Sequence, residues 1–395
     1  MAIMGMGVLA ISVLQPILPL YLASIGVVPT ILGLMFSVAM IGMVFGESTG
    51  GWIADRVGLR VPLSVGTFVC APVVLCFVLT RSTLAIFLIF FFWGVVRSAI
   101  FGPGRGYIGA TAPLAQKATF MAIFAATLAV SRSIGSAMSG FIVDTWGYHR
   151  AFFISAGISI LGGAAVVGGL RRVRLVRSDS RTVPPSLSVA PRPRNPARSY
   201  RPVVFQGIVA ALEFLSGGIM FTFLPLLAAQ EVGLAATQVG VLFTIGGLVT
   251  AVLLMPMGRL ADRKGKKLLM LIGLLVSAGG MAGLAFARNF PGLILFVAAR
   301  SLGMAMFSPA AVALLSDTMP PDRQATAMGV YGSCEDIGVI TGSALGGLIW
   351  STLGPQSTFL MGAIAGGLGA AVCLTLIGDR GTQGAAATPG HSATS

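Results

Sequence analysis

Apolar stretches of about 20 residues recur along this whole chain, and that is the length of helix that crosses the hydrocarbon core of a bilayer. They lie near residues 2–23, 29–53, 61–80, 84–108, 118–142, 150–170, 203–228, 237–259, 268–287, 291–315, 325–350 and 357–378. Of the 395 residues, 55% are hydrophobic and only 10% charged, where a soluble chain carries roughly a quarter charged residues. Lipid offers the backbone no hydrogen-bond partners, so spans of this length are expected to be helices. The first starts at Met1 without the basic flank and small-residue cleavage site of a secretory signal, and it is expected to remain as a helix.

A polar decapeptide occurs twice, GWIADRVGLR at Gly51–Arg60 and GRLADRKGKK at Gly258–Lys267, each directly after an apolar stretch. The copies are 207 residues apart, and the same offset relates Gly33 to Gly240, Ala118-Thr119 to Ala325-Thr326, Gly135-Ser136-Ala137 to Gly342-Ser343-Ala344, and Gly140 to Gly347. The expected fold is all-α and polytopic, with twelve transmembrane helices in two pseudo-symmetric six-helix bundles. Parallel repeats about an axis along the membrane normal are one known plan for a transporter, with substrate held between them. The boundaries expected are a first bundle at 1–170, a basic linker at 171–202 whose prolines deny it a stable helix, a second bundle at 203–380, and a disordered tail at 381–395.

The net charge of +14 is unevenly placed. Residues 171–201 hold nine arginines, whereas the odd-numbered loops show only Arg81, Arg150 and Arg288. Such asymmetry predicts both termini in the cytoplasm and argues against nucleic-acid binding. Cys70, Cys76, Cys334 and Cys373 all fall inside spans with no CxxC pair, which reads as core packing. The chain has no HExxH, GxSxG or GxxxxGK[ST] sequence, so neither an enzyme nor an ATP-driven pump is expected.

The decapeptides resemble the loop between helices 2 and 3 of the major facilitator superfamily, and the resemblance extends over nearly the whole chain. It implies gate loops made of Gly51, Asp55, Arg56, Gly58 and Arg60 in the first half, and Gly258, Asp262, Arg263, Gly265 and Lys267 in the second. Gly51 and Gly258 permit close helix approach, Gly58 and Gly265 permit a turn, and Asp55 and Asp262 suit the positive end of a neighbouring helix. In that family the carboxylate latches the halves together on the cytoplasmic side. Leu9-Ala10 followed by Pro16-Ile17-Leu18-Pro19 resembles the helix 1 signature of twelve-helix drug:proton antiporters. The helix 5 antiporter signature is damaged, with Ser136 where its proline belongs, and helix 11 repeats the change with Ser343.

A charge at mid-bilayer costs about 2.5–3.5 kcal/mol on insertion scales, so each one inside a span needs a reason. The spans enclose Arg97, Arg132 and Arg300 against Glu47, Glu213, Glu335 and Asp336. The surplus acid is a candidate proton carrier, torn between desolvation and a nearby arginine. Arg97, Glu213 and Arg300 lie near the middle of helices 4, 7 and 10, which line the cavity in the superfamily, and Glu213 is expected within reach of both arginines. Glu335 and Asp336 sit about 100° apart around a helix and cannot share one partner. Glu47, one turn before the first decapeptide, reads as a gate or structural charge.

The reading is a multi-pass cell-membrane transporter, monomeric, with the lipid bilayer and a small molecule as partners. No metal or cofactor is expected beyond a coupling ion, the proton. Proton-coupled efflux of amphipathic, drug-like compounds comes first. Proton-linked import or facilitated passage of an anionic metabolite comes second, and a membrane enzyme or receptor is the rival class.

Overall fold

The computed structural model describes residues 2–58, 60–111, 117–169, 196–319 and 323–376. Among them there is no strand, and helices follow one another in the expected order. They are α1 (Ala2–Leu14), α2 (Leu18–Ser24), α3 (Pro29–Val57), α4 (Arg60–Leu79), α5 (Thr83–Thr111), α6 (Lys117–Trp146), α7 (Tyr148–Gly169), α8 (Pro196–Leu226), α9 (Ala236–Lys264), α10 (Lys266–Phe286), α11 (Phe290–Thr318), α12 (Gln324–Leu353) and α13 (Pro355–Leu376). Ten spans among the described residues are long and apolar enough to cross a membrane. Helix α5, with its shorter apolar stretch Thr83–Ala99, and α6 complete the twelve expected crossings.

The first crossing departs from expectation by breaking into two helices. Pro16 and Pro19 lack the amide hydrogens a continuous helix would use, so α1 stops at Leu14 and α2 restarts at Leu18 with Pro19 in its first turn. The decapeptides also differ from simple loops. Most of each is the last turns of a long helix, α3 or α9, and the chain turns only at Gly58 (φ 83°) and Gly265 (φ 102°). Positive φ costs glycine nothing and is a common way to end a helix. The expected linker and tail lie almost wholly outside the described residues, and α8 begins at Pro196, inside the expected linker.

The two halves repeat one packing scheme. In the first, α3 packs on α5, α4 on α7, and α1 on α6 and α7; in the second, α9 packs on α11, α10 on α13, and α8 on α12 and α13. The halves meet through two matching pairs, α3 with α12 and α6 with α9. The glycines that align at the 207-residue offset make both contacts. A Cβ on Gly33 would strike the backbone of Ser343 and Gly347, and one on Gly140 or Gly240 would strike the facing backbone of α9 or α6. Small residues let helix backbones approach this closely in lipid, where apolar burial alone does not drive helices together. Large apolar side chains such as Leu79, Phe153, Val252 and Ile364 cover the outside.

Candidate functional site

The charges of the second half gather inside its own bundle. Glu213 on α8 and Arg300 on α11 form an ion pair, Nη1 to Oε1, at 3.1 Å, with side chains 0% and 6% exposed. Ser277 on α10 donates its hydroxyl to the same Oε1 at 2.8 Å, and Arg300 Nη2 donates to Ser216 Oγ at 3.2 Å. Gly280 makes room for this by lying directly against the Arg300 backbone. A buried charge left single is expensive, and pairing plus hydrogen bonding is what makes it tolerable. Gln206, two turns before Glu213, is fully buried, and neither of its amide atoms has a partner among the described residues.

This corrects two expectations. Glu213 reaches Arg300 but not Arg97, and the pair closes on α10 within its own half instead of facing the other. Arg97 on α5 belongs to the first half and stands over the Trp93 ring, 4.6 Å from its centroid. Its charged neighbour is Arg132 on α6, not an acid. Arg132 is exposed instead of buried, and so is Glu47. Glu47 sits near the decapeptide end of α3, beside the exposed Phe45 and Ser48. Cys76 is likewise exposed, unlike the buried Cys70 and Cys373.

Between α3 and α12, one of the two helix pairs through which the halves meet, lies a cavity of about 500 Å³. Ile41, Val44, Phe45, Ile337 and Ile340 make its walls apolar, Ser48, Thr49 and Ser333 add hydroxyls, and Asp336 supplies its one formally charged lining group. Glu47 lies near enough to Asp336 for the two charges to interact across the halves. Glu335 turns the other way, within electrostatic reach of Tyr331. The two neighbouring acids therefore face different surroundings, as their spacing on a helix requires.

The halves are joined at the end opposite the decapeptides. There Ser37 donates to the Ile340 carbonyl at 2.7 Å, Thr30 bonds Ser351, and Thr244 donates to the Ser133 carbonyl at 3.1 Å. Asp144 of α6 receives three hydrogen bonds from Ala236 and Thr237 of α9. At the decapeptide end, Asp262 and Arg263 are exposed, and Asp262 makes no hydrogen bond or ion pair among the described residues. Lys266 pairs with Asp317 within its own half. The side chains of Gly51, Asp55 and Arg60 lie outside the described ones, so the first latch acid is placed only by its backbone in α3.

Sequence reasoning missed Ser216, Ser277 and Tyr331, as well as Asp144 with Thr237. Hydroxyls inside spans carry no hydropathy signal, and Asp144 sits at a span edge where charge is ordinary.

A family model described as Major Facilitator Superfamily matches residues 1–205 and again 206–394, one match per half. An uncharacterised MFS-type transporter of Methanocaldococcus jannaschii is 21% identical over 363 residues, covering 90% of this chain and 91% of that protein. The multidrug transporter protein MdtP of Bacillus subtilis is 25% identical over 190 residues, 47% of this chain and 34% of its own length. Among solved structures, a bacterial homologue of the human lysosomal transporter Spinster, described as inward-facing and occupied, aligns with TM-score 0.77 at 12% identity over 94% of both chains.

Proposed function

This chain belongs to the Major Facilitator Superfamily, and from that premise we propose that it exports an amphipathic, positively charged small molecule by proton-coupled alternating access. One observation carries the substrate class: the cavity between α3 and α12 is apolar, and its lining charge is the carboxylate of Asp336. A lipophilic cation matches both features, with greasy surface against Ile41, Phe45 and Ile337 and charge against Asp336. A carboxylate that holds either a proton or the cation, never both, links the flow of one to the flow of the other. Asp336 takes this role in place of Glu213, whose carboxylate is engaged by Arg300 and Ser277.

The relative named as a multidrug transporter supports a drug-like substrate. The abundance of arginine at 171–201 supports cytoplasmic termini, with the decapeptide end facing the cytoplasm in the cell membrane. Cysteines placed in that segment should label from the cytoplasmic side alone. The second reading, movement of an anionic metabolite, rests on the neighbouring guanidiniums of Arg97 and Arg132. It is weakened because Arg300, the third arginine inside the spans, is already paired with Glu213.

Everted vesicles with an imposed proton gradient separate the readings. Tetraphenylphosphonium and related cations should dissipate the gradient with the wild type and fail to do so with Asp336→Asn. Dissipation by carboxylates and not by cations would reverse the substrate assignment. Loss in Glu213→Gln with Asp336→Asn unchanged would return the proton to helix α8.

A further inference from the structure

We propose that Asp144 is the dominant closing element at the end opposite the decapeptides: a carboxylate of the first half that caps a helix of the second and so holds the decapeptide end open. The first amides of a helix have no partner inside it and need an acceptor from elsewhere. Helix α9 starts after Ala235, whose methyl side chain accepts nothing. The acceptor comes instead from the other half. Asp144 Oδ1 takes the Ala236 amide at 3.1 Å, and Oδ2 takes the Thr237 amide at 2.7 Å and its hydroxyl at 2.5 Å. Negative charge at the amino terminus of a helix adds attraction by the peptide dipoles.

The repeat provides an internal comparison. The 207-residue offset carries Asp144 onto Ser351 and Thr30 onto Thr237, and these mates also meet across the halves. Ser351 Oγ accepts the Thr30 amide at 3.2 Å and bonds the Thr30 hydroxyl at 2.8 Å, at the start of α3. The closed end is thus two symmetric inter-half caps, one with a carboxylate and the other with a neutral hydroxyl. The charged cap is the stronger, and it sits beside the backbone contact of Gly140 with Gly240. Because each cap spans the halves, neither survives when they rock apart at this end. Its free energy therefore weighs directly on the balance between the two states. The inference rests on the alternating-access reading above and extends it by naming what sets the resting state.

Hydrogen exchange read by mass spectrometry on the full chain in nanodiscs tests this without a substrate. Asp144→Ala should speed exchange in a peptide covering 233–242 and, reciprocally, slow it in one covering 255–266 as the decapeptide end closes. The ratio of states should change about tenfold, the size of a side-chain cap with its charge–dipole attraction. Adding Ser351→Asp to that variant moves the carboxylate to the symmetric site, over the start of α3, and should restore the 255–266 rate, while 233–242, whose first amides stay uncapped, recovers only in part. If Asp144→Ala folds poorly, Asp144→Asn keeps an acceptor, loses the charge, and should show the same reciprocal change at about threefold. Faster exchange in 233–242 with 255–266 unchanged would make Asp144 a local cap only, and failure of Ser351→Asp to restore the 255–266 rate would equally overturn the gate. Because no transport is measured, such a failure leaves the substrate proposal standing, and failure of the vesicle assay leaves this test valid.

Discussion

The interiors of the two halves occupy the same place in the repeat and are filled by opposite chemistry. The offset that aligns the decapeptides carries Trp93 onto Arg300, Cys70 onto Ser277 and Met6 onto Glu213. In the second half these positions hold the ion pair and its serine. In the first they hold a buried indole packed edge-on against Phe77 and Phe90, at centroid distances of 6.4 and 5.9 Å. One backbone scheme thus accepts either an aromatic cluster or a paired charge. The fold itself does not require Glu213 and Arg300; once one of them is present, however, the other must be.

The largest effect should come from separating that pair. Arg300→Met strands the Glu213 carboxylate, at a cost of about 3–5 kcal/mol, and should sharply lower both the yield of monodisperse protein and its melting temperature in detergent. Adding Glu213→Leu, which moves the site toward the first half's solution, should recover most of that loss. A double variant as unstable as the single one would show that the niches are not equivalent.

Next in size is Asp336→Asn, which should reduce concentrative transport at least tenfold, about 1.4 kcal/mol, with melting unchanged. A melting shift as large as that of Arg300→Met would make Asp336 structural and erase the division between a sealed charge and a cavity charge.

Arg97→Met makes the same substitution at a span arginine of the first half, where the partner is the Trp93 ring. It forfeits a cation–π contact of about 0.5–1 kcal/mol and removes a like charge facing Arg132, so melting should move far less than with Arg300→Met. Equal losses would break the comparison. The smallest effect belongs to Asp262→Asn. An exposed charge near a helix end is worth about 0.3–1 kcal/mol, and with the decapeptide end open it should alter cycling rate while leaving stability alone.

Much of this was legible from residues alone. Apolar length gave the number of crossings, the paired decapeptides gave the duplication, and the shared offset matched Gly33 with Gly240 and Gly140 with Gly347, small residues that the structure then places at the contacts between the halves. Those signals survive because bilayer thickness and backbone-to-backbone distance act on individual positions along the chain. The partners of the charges did not show in the same way. A helix in lipid is apolar on nearly every side, so its periodicity does not reveal which face turns inward, and each residue of misjudged rotation swings a side chain by about 100°.

Only packing decided that Glu213 closes on Ser277 and Arg300, that Arg97 rests on Trp93, and that Asp336 alone of the span acids lines the cavity between α3 and α12. Packing likewise placed Asp144, an ordinary acid at a helix end, over the first turn of α9. The sequence determines which segments cross and which of them correspond. The rotation and approach of those helices, set by small residues meeting across 303 to 321 positions of chain as Ser37 meets Ile340 and Thr30 meets Ser351, decide which charges are sealed, which face substrate and which hold the gate.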